Sequence, residues 1–193
     1  MNHQDHMKQI FTEARTHRFF TDKAVDDSLL KSLYDVAKFA PTASNFCPMR
    51  LVFVKSDEAK AKLMDAIAEG NRPKAATAPV IAIVAHDLKF YDHLDRLAPH
   101  MDKANFEQQS EEITARQAIQ NTWLQGGYLI LAARALGLDC GAMAGFNQAK
   151  TNELFFEGTS LRASFLLSIG YGSGENIRPR AERLTFDEAC KIL

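Results

Sequence analysis

Long apolar runs, paired cysteines and an excess of either charge are all missing from this 193-residue chain. No apolar stretch approaches the ~18 residues needed to span a bilayer. The first six residues, Met1-Asn2-His3-Gln4-Asp5-His6, are polar and lack the apolar core of a secretory signal. Cys47, Cys140 and Cys190 are odd in number and far apart, which suggests neither a disulfide framework nor a zinc site. Lys and Arg number 23 against 24 Asp and Glu, a net charge of −1. That balance gives no field for bulk binding of nucleic acid or an anionic membrane. A cytoplasmic protein is expected, with neither of those as a partner. The rest of the composition, 46% hydrophobic and 24% charged, is that of a globular protein. Its length fits one domain, residues 1–193, with a substantial core.

Signatures of several catalytic classes are absent too. Gly170-x-Gly172-x-Gly174 follows an apolar strand but lacks the third-glycine spacing of a dinucleotide fingerprint. Too little chain remains after it for a βαβ unit. There is no Walker A sequence and no G-x-S-x-G, and Cys47 has no base partner in sequence. His86, His93 and His100 recur every seven residues. On one helix such residues share a face but stand ~10 Å apart, too far to hold one metal together. No metal site is expected.

What is present is a regular alternation of helices and strands. Residues 4–15 read as a short helix with Ile10 and Phe11 on its buried side. A second helix starts at the N-cap Asp26, carries Leu29, Leu30, Leu33, Val36, Ala37 and Ala40 at helical spacing, and stops at Pro41. Residues 51–54 form a strand, and 57–69 a helix stopped by Gly70. Residues 79–85 are apolar without alternation, a strand buried on both faces. Between 87 and 110 no period is sustained, a connection that is either functional or an irregular helical excursion. Residues 111–136 then form a helix on the order of 39 Å long. Its second half is apolar on nearly every side and holds Gly126-Gly127, which costs roughly 1–2 kcal/mol relative to alanine. Such a helix suits either a subunit interface or the centre of a monomer. A helix over 147–155, a strand over 164–170 and a final helix opened by the capping box Thr185-x-x-Glu188 complete the chain.

The most informative stretch is Pro41-Thr42-Ala43-Ser44-Asn45-Phe46-Cys47-Pro48. Two prolines restrict its backbone, and Thr42, Ser44 and Asn45 offer hydrogen bonds without bulk. On its own it is first an ordinary helix-to-strand loop, and alternatively a turn that brings main-chain N–H groups close to a flat polar ligand. Arg15 and Arg18 lie between the first two helices, and Arg178, Arg180 and Arg183 lie in the C-terminal tail. Each cluster alone is an ordinary solvated surface. Together with the turn they make a phosphate anchor plus hydrogen bonds for a planar head group.

Several motifs in fixed order carry a resemblance. They include Ala14-Arg15-Thr16-His17, Pro41-Thr42-Ala43-Ser44-Asn45, Gly70-Asn71, Thr77-Ala78-Pro79-Val80 and Phe90-Tyr91. Arg134-Ala135-Leu136-Gly137-Leu138-Asp139, Met143-Ala144-Gly145-Phe146, Phe155-Phe156-x-Gly158 and Ile169-Gly170-Tyr171-Gly172 follow, and Arg183-Leu184-x-Phe186-x-Glu188-Ala189-Cys190 ends the series. With these the chain resembles, nearly end to end, the nitroreductase-like FMN-dependent oxidoreductases, and within them the HadB/RutE branch that includes malonic semialdehyde reductase.

The resemblance implies an α+β sandwich, a mostly antiparallel sheet flanked by helices, in an intertwined homodimer with FMN at the interface. Arg15, Thr16 and His17 then match the segment that holds phosphate and ribityl chain, with Arg180 and either Arg178 or Arg183 closing over it. Pro41, Thr42, Ala43, Ser44 and Asn45 match the turn supplied by the other subunit, and Asn71 a contact to the flavin ring. Met143, Ala144 and Gly145 match the segment behind the flavin N5 edge. Arg18 and Lys74 are candidates for a cation beside the N1–O2 edge.

Two departures stand out. Arg18-Phe19-Phe20 follows Arg-Thr-His where this branch typically has Asn and then Trp, and Ala144 stands where several nitroreductases are acidic. The implied activity is ping-pong hydride transfer from NADH or NADPH, through flavin N5, to a small electron-poor acceptor. Malonic semialdehyde, reduced to 3-hydroxypropionate, is one acceptor, with Arg96, His100 or Lys103 as a partner for its carboxylate. A nitroaromatic or a quinone is another. A non-catalytic dimeric binding protein that has lost flavin is the alternative of a different class.

Overall fold

A computed structural model describes residues 3–175 and 177–193. Its centre is an antiparallel sheet of four strands: β1 (Met49–Val54), β2 (Val80–Asp87), β3 (Asp139–Met143) and β4 (Leu161–Gly170), in the order β1-β2-β4-β3. Every residue of β2 is buried, as its unbroken apolar run requires. Alternate side chains serve opposite faces. Val80, Ala82 and Val84 join Phe165, Leu167 and Ile169 of β4 in one core. Ile81, Ile83 and Ala85 join Ala163 and Leu166 in the other.

Helices cover both faces. In chain order they are α1 (His3–Met7), α2 (Asp27–Ala37), α3 (Asp57–Met64), α4 (Arg72–Thr77), α5 (Leu94–Leu97), α6 (Ala104–Glu107), α7 (Glu111–Ala135), α8 (Gln148–Phe156) and α9 (Phe186–Ala189). Leu30 and Leu33 of α2 and Leu129 and Ala133 of α7 pack on the first face. Leu63 of α3, Ala75 of α4 and Phe156 of α8 pack on the second. The irregular stretch after β2 folds around its own aromatic cluster. Phe46, Phe90 and Phe106 meet at centroid distances of 4.9, 5.2 and 5.5 Å.

Some expected boundaries move, each for a visible reason. The first helix passes through a π-helical turn and ends at Thr12, and Phe11 is exposed rather than buried. Val36 is likewise exposed on α2. α3 stops at Met64, not residue 69, because the chain turns to pair elsewhere: Ile67 bridges to Phe146 and the Asn147 amide donates to Ala66 O at 2.7 Å. β3 was not expected at all. Its sequence Asp-Cys-Gly-Ala-Met has poor strand propensity, and five partners on β4 hold it extended. The last helix is a single exposed turn, closed by the expected box, with the Thr185 amide donating to Glu188 Oε2 at 2.8 Å.

α7 inverts the usual polarity. Asn121, Thr122 and Gln125 are buried, while Trp123, Leu124 and Tyr128 are exposed. The paired glycines part company as well. A Cβ on Gly126 would lie 2.7 Å from Phe165 Cζ, whereas Gly127 faces open space. Gly126 thus makes room for a core ring that stacks on Trp123 at 4.6 Å, and Gly127 belongs to the exposed apolar face. Among the described residues no helix is long and apolar enough to cross a membrane.

His86, buried at the end of β2, shares a hydrogen bond of 2.9 Å with Ser164 Oγ. Burial first, then the nearby Arg162, push its pKa down from 6.5 to about 4, against the opposing pull of Asp87. Between those values the unfolded chain binds more protons than the folded one, so stability falls as pH drops through the window. Urea unfolding should show about 2 kcal/mol less stability at pH 4.5 than at pH 7, because each tenfold loss of proton affinity on folding is worth about 1.4 kcal/mol. His86→Gln should flatten that slope. A wild-type slope equal to the variant's would refute the assignment.

Candidate cofactor site

β3 is an edge strand, and the chain uses its open edge to dock the segment before α2. Thr16 bridges to Cys140 in parallel, and the His17 amide donates to Cys140 O at 2.9 Å. The His17 ring lies over Gly172, where a Cβ would come within 1.9 Å of Nδ1. Its Nε2 is 3.2 Å from Asp139 Oδ1, while Asp139 Oδ2 accepts from the Gly172 amide at 2.8 Å. Gly141 must also lack a side chain, since its Cβ would sit 2.4 Å from His17 O. His17 therefore faces the protein as a pin that fixes Arg15 and Thr16 rather than as a lining residue. Cys140 is a core thiol, pushed up to about 12 mainly by burial.

Arg15 and Thr16 open into a cleft of about 620 Å³ that gathers Arg18, Lys74, Arg178, Arg180 and Arg183 from distant parts of the chain. Phe11, Ala14, Arg134, Pro179 and Ala181 complete its walls. Seven of these twelve residues are Lys or Arg, and none is acidic. The guanidinium groups donate to main-chain carbonyls. Arg15 bonds Arg178 O, Arg180 bonds Thr12 O and Ala14 O at 2.8 Å each, and Arg134 bonds Ile10 O at 2.9 Å. Such bonds fix the tail over the cleft and leave the positive charge uncompensated. Arg134 Nε is buried with no hydrogen-bond partner among the described residues. Lys74 is pushed below its ordinary pKa by burial, with the Arg18 charge adding to the effect.

The 41–48 turn is positioned by α7. The Ala43 amide donates to Asn121 Oδ1 at 2.7 Å, and the Met49 amide to Gln125 Oε1 at 2.9 Å. Within the turn Thr42 Oγ1 accepts from the Cys47 amide at 3.2 Å, and Asn45 Nδ2 donates to Leu97 O at 2.8 Å. Ser44, Asn45 and Cys47 have φ of 44°, 58° and 43°. Left-handed backbone at non-glycine residues costs of order 1–3 kcal/mol each and gathers at functional sites. Ala43, Ser44 and Asn45 are exposed. Asn45 and Cys47 border a separate cleft of about 810 Å³ that includes His93 and Arg96. Within one chain, then, the turn and the cationic cleft are apart.

The third group sits at the α3–α4 corner. Asn71 Nδ2 donates to Gly145 O at 2.9 Å, and a Cβ on Gly145 would come within 2.6 Å of Asn71 Nδ2. Ala144 and Gly145 are exposed, whereas the Met143 side chain is in the core. The Met143 side chain is therefore not available to a ligand. Among the described residues no group of three or more His, Cys, Asp or Glu is placed to hold a metal. Sequence reasoning missed three residues: Arg134 in the cleft, and Asn121 and Gln125 behind the turn. The available signal was polar side chains at regular spacing within an apolar helix.

A sequence profile of the Nitroreductase family matches residues 12–171. The chain is 48% identical over 186 residues to a protein of Burkholderia lata named "Putative NADH dehydrogenase/NAD(P)H nitroreductase", covering 96% of this chain and 95% of that one. A protein of the same name from Stenotrophomonas maltophilia is 50% identical over 186 residues, with the same coverage. Among solved structures, a "putative nitroreductase in complex with FMN" from Exiguobacterium sibiricum superposes with a TM-score of 0.86 at 21% identity. That match covers 100% of this chain and 98% of the other. The chain belongs to the nitroreductase family.

Proposed function

We propose that the protein is an FMN-dependent NAD(P)H oxidoreductase of the HadB/RutE branch. The observation that carries this reading is the cationic cleft, where seven Lys and Arg side chains meet with no acid among the lining residues. Uncompensated charge of that density fits a phosphate dianion. Arg134 Nε, buried and without a partner among the described residues, supports the same reading. Arg15, Arg180 and the Thr16 hydroxyl hold the phosphate, with Arg183 at the rim. Lys74, beside Arg18, supplies positive potential toward the flavin pyrimidine edge. Asn71 orients Gly145, so that the exposed Ala144–Gly145 main chain backs the ring. When bound, FMN would supply hydride-transfer chemistry between the nicotinamide and an electron-poor acceptor.

The acceptor is an oxidised small molecule such as malonic semialdehyde, a nitroaromatic or a quinone. For a carboxylate-bearing acceptor, Arg96 is the best-placed of the three expected cations. It lines the cleft beside Asn45. Lys103 is paired with Asp92 at 2.5 Å and Glu107 at 3.4 Å, and His100 is not among that cleft's lining residues. A flavin-free binding protein would have no use for the retained phosphate anchor.

Purified protein supplied with FMN should be yellow and should bleach anaerobically with NADH or NADPH. Arg15→Ala and Arg180→Ala should each weaken FMN retention by about 10- to 100-fold, the loss of one or two charge-assisted hydrogen bonds. Retention unchanged in both variants would remove the site assignment.

The separation of the 41–45 turn from the cationic cleft supports a homodimer in which each flavin is completed by the partner's turn. The exposed Trp123, Leu124 and Tyr128 beside Gly127 are the apolar face such a dimer would bury. Gly127→Glu should therefore lose dimer and FMN in parallel, as seen by light scattering and flavin absorbance. A soluble Gly127→Glu monomer with native FMN affinity would refute the shared site.

A further inference from the structure

The 41–48 turn is held at its two ends by different means. Thr42 and Asn121 fix its entry, and one ion pair fixes its exit. The Arg50 guanidinium donates from Nη1 to Cys47 O at 2.9 Å and to Met49 O at 3.1 Å, and from Nη2 to Asp87 Oδ2 at 2.8 Å. The Asp87 amide donates to Pro48 O at 3.0 Å. Three consecutive carbonyls, those of Cys47, Pro48 and Met49, are thus claimed by the two residues of the pair.

The same pair reaches the far wall of the cleft of about 810 Å³ that Arg50 itself lines. Asp87 Oδ1 accepts from the Lys89 amide at 2.9 Å and from Ser160 Oγ at 2.6 Å. Lys89 opens the irregular stretch whose Leu97 O accepts from Asn45 Nδ2. The turn and the stretch opposite it therefore hang on one carboxylate.

The Asp87 side chain is only 9% exposed and that of Arg50 28%. An ion pair taken that far out of water adds little net stability over apolar side chains of the same volume. What the fork supplies is direction, since it bonds a carboxylate and two carbonyls in a fixed geometry. The turn has need of it. Ser44, Asn45 and Cys47 are left-handed, a backbone state that persists only where its surroundings over-determine it. Ser44 and Asn45 are exposed, so core packing does not hold them.

We propose that Arg50, oriented by Asp87, is the positioning residue of this turn. Acting through the Cys47 and Met49 carbonyls, it keeps Ser44 and Asn45 in the arrangement that meets the flavin. This rests on the FMN reading and the shared homodimeric site proposed above, and adds the residue that sets the geometry of the turn. Without the fork the turn samples other backbone states. Apparent FMN affinity then falls with the fraction of protein in the competent one.

The test uses the full-length protein. FMN affinity is read from flavin fluorescence, assembly from light scattering, and the flavin's surroundings from visible circular dichroism at saturating FMN. Arg50→Gln should weaken FMN about tenfold, with an altered dichroism band and an intact dimer. Asp87→Asn should weaken it by less, about threefold. The double variant should be no worse than Arg50→Gln, because the two residues act as one device. Arg50→Lys keeps the buried carboxylate paired, which protects the fold, but puts a point charge in place of the fork. FMN binding should weaken by about threefold there too. A merely structural pair would lower the urea midpoint of each variant and leave affinity and dichroism as in the wild type. That result, losses that multiply in the double variant, or FMN lost only in step with the dimer would each overturn the inference. A wild-type protein that takes up no FMN defeats instead the functional reading beneath it.

Discussion

β2 has no side that faces water, and that constraint sets the layout of the molecule. A strand buried on both faces needs cover on both, so α2 and α7 lie on one face and α3, α4 and α8 on the other. With β2 and β4 in the middle of the sheet, β1 and β3 are left as edges. An open edge is a row of unpaired main-chain groups that a protein must occupy or shield. Here the Thr16–His17 segment occupies part of the β3 edge. Docking that segment is also what carries Arg15 to the cleft. The cationic cleft follows from how the sheet edge is closed.

α7 serves the opposite side of the site through a similar economy. Its buried Asn121 and Gln125 are not core filler. Each accepts from a main-chain amide of the 43–49 segment, and an amide left unpaired there would cost ~1–3 kcal/mol. Committing polar residues to the inside turns the helix's large side chains outward, with Trp123 and Tyr128 about half exposed. The same rotation that anchors the turn thus creates an apolar surface. The homodimer proposed above would bury that surface.

Much of this was legible in the sequence. The unbroken apolar run of β2, the length of α7, the Asp26 N-cap position and the Thr185–Glu188 box were read from spacing and residue type alone. Arg15, Arg18, Arg178, Arg180 and Arg183 were grouped by chemistry although more than 150 residues separate their two clusters, and one cleft holds all of them. What was not legible depends on partners far away in the chain. β3 is extended because β4 pairs with it, not because Asp139-Cys140-Gly141-Ala142-Met143 favours a strand. α3 ends early because Ile67 is claimed by Phe146. The resemblance places His17 with Arg15 and Thr16 in the segment that holds the phosphate and ribityl chain. The His17 ring turns inward over Gly172, whose missing side chain leaves the room.

The site carries two local costs that the rest of the fold does not share. One is positive charge with no acid among the cleft's lining residues, where Lys74 is held below its ordinary pKa by burial first and by the Arg18 charge second. The other is the left-handed backbone at Ser44, Asn45 and Cys47. Neither follows from the sheet or its cores, and both are opposed by many contacts nearby: the tail's bonds to Thr12 and Ala14, and the turn's bonds to Asn121 and Leu97. A bound anion relieves the first cost directly. A ligand that binds only the folded state, present at a hundred times its dissociation constant, stabilises that state by about 2.7 kcal/mol. That is comparable to the strain of one or two left-handed residues. The chain therefore holds the cleft and the turn in place through its own contacts, and a ligand of the kind proposed would return stability of the same order as the strain of the turn.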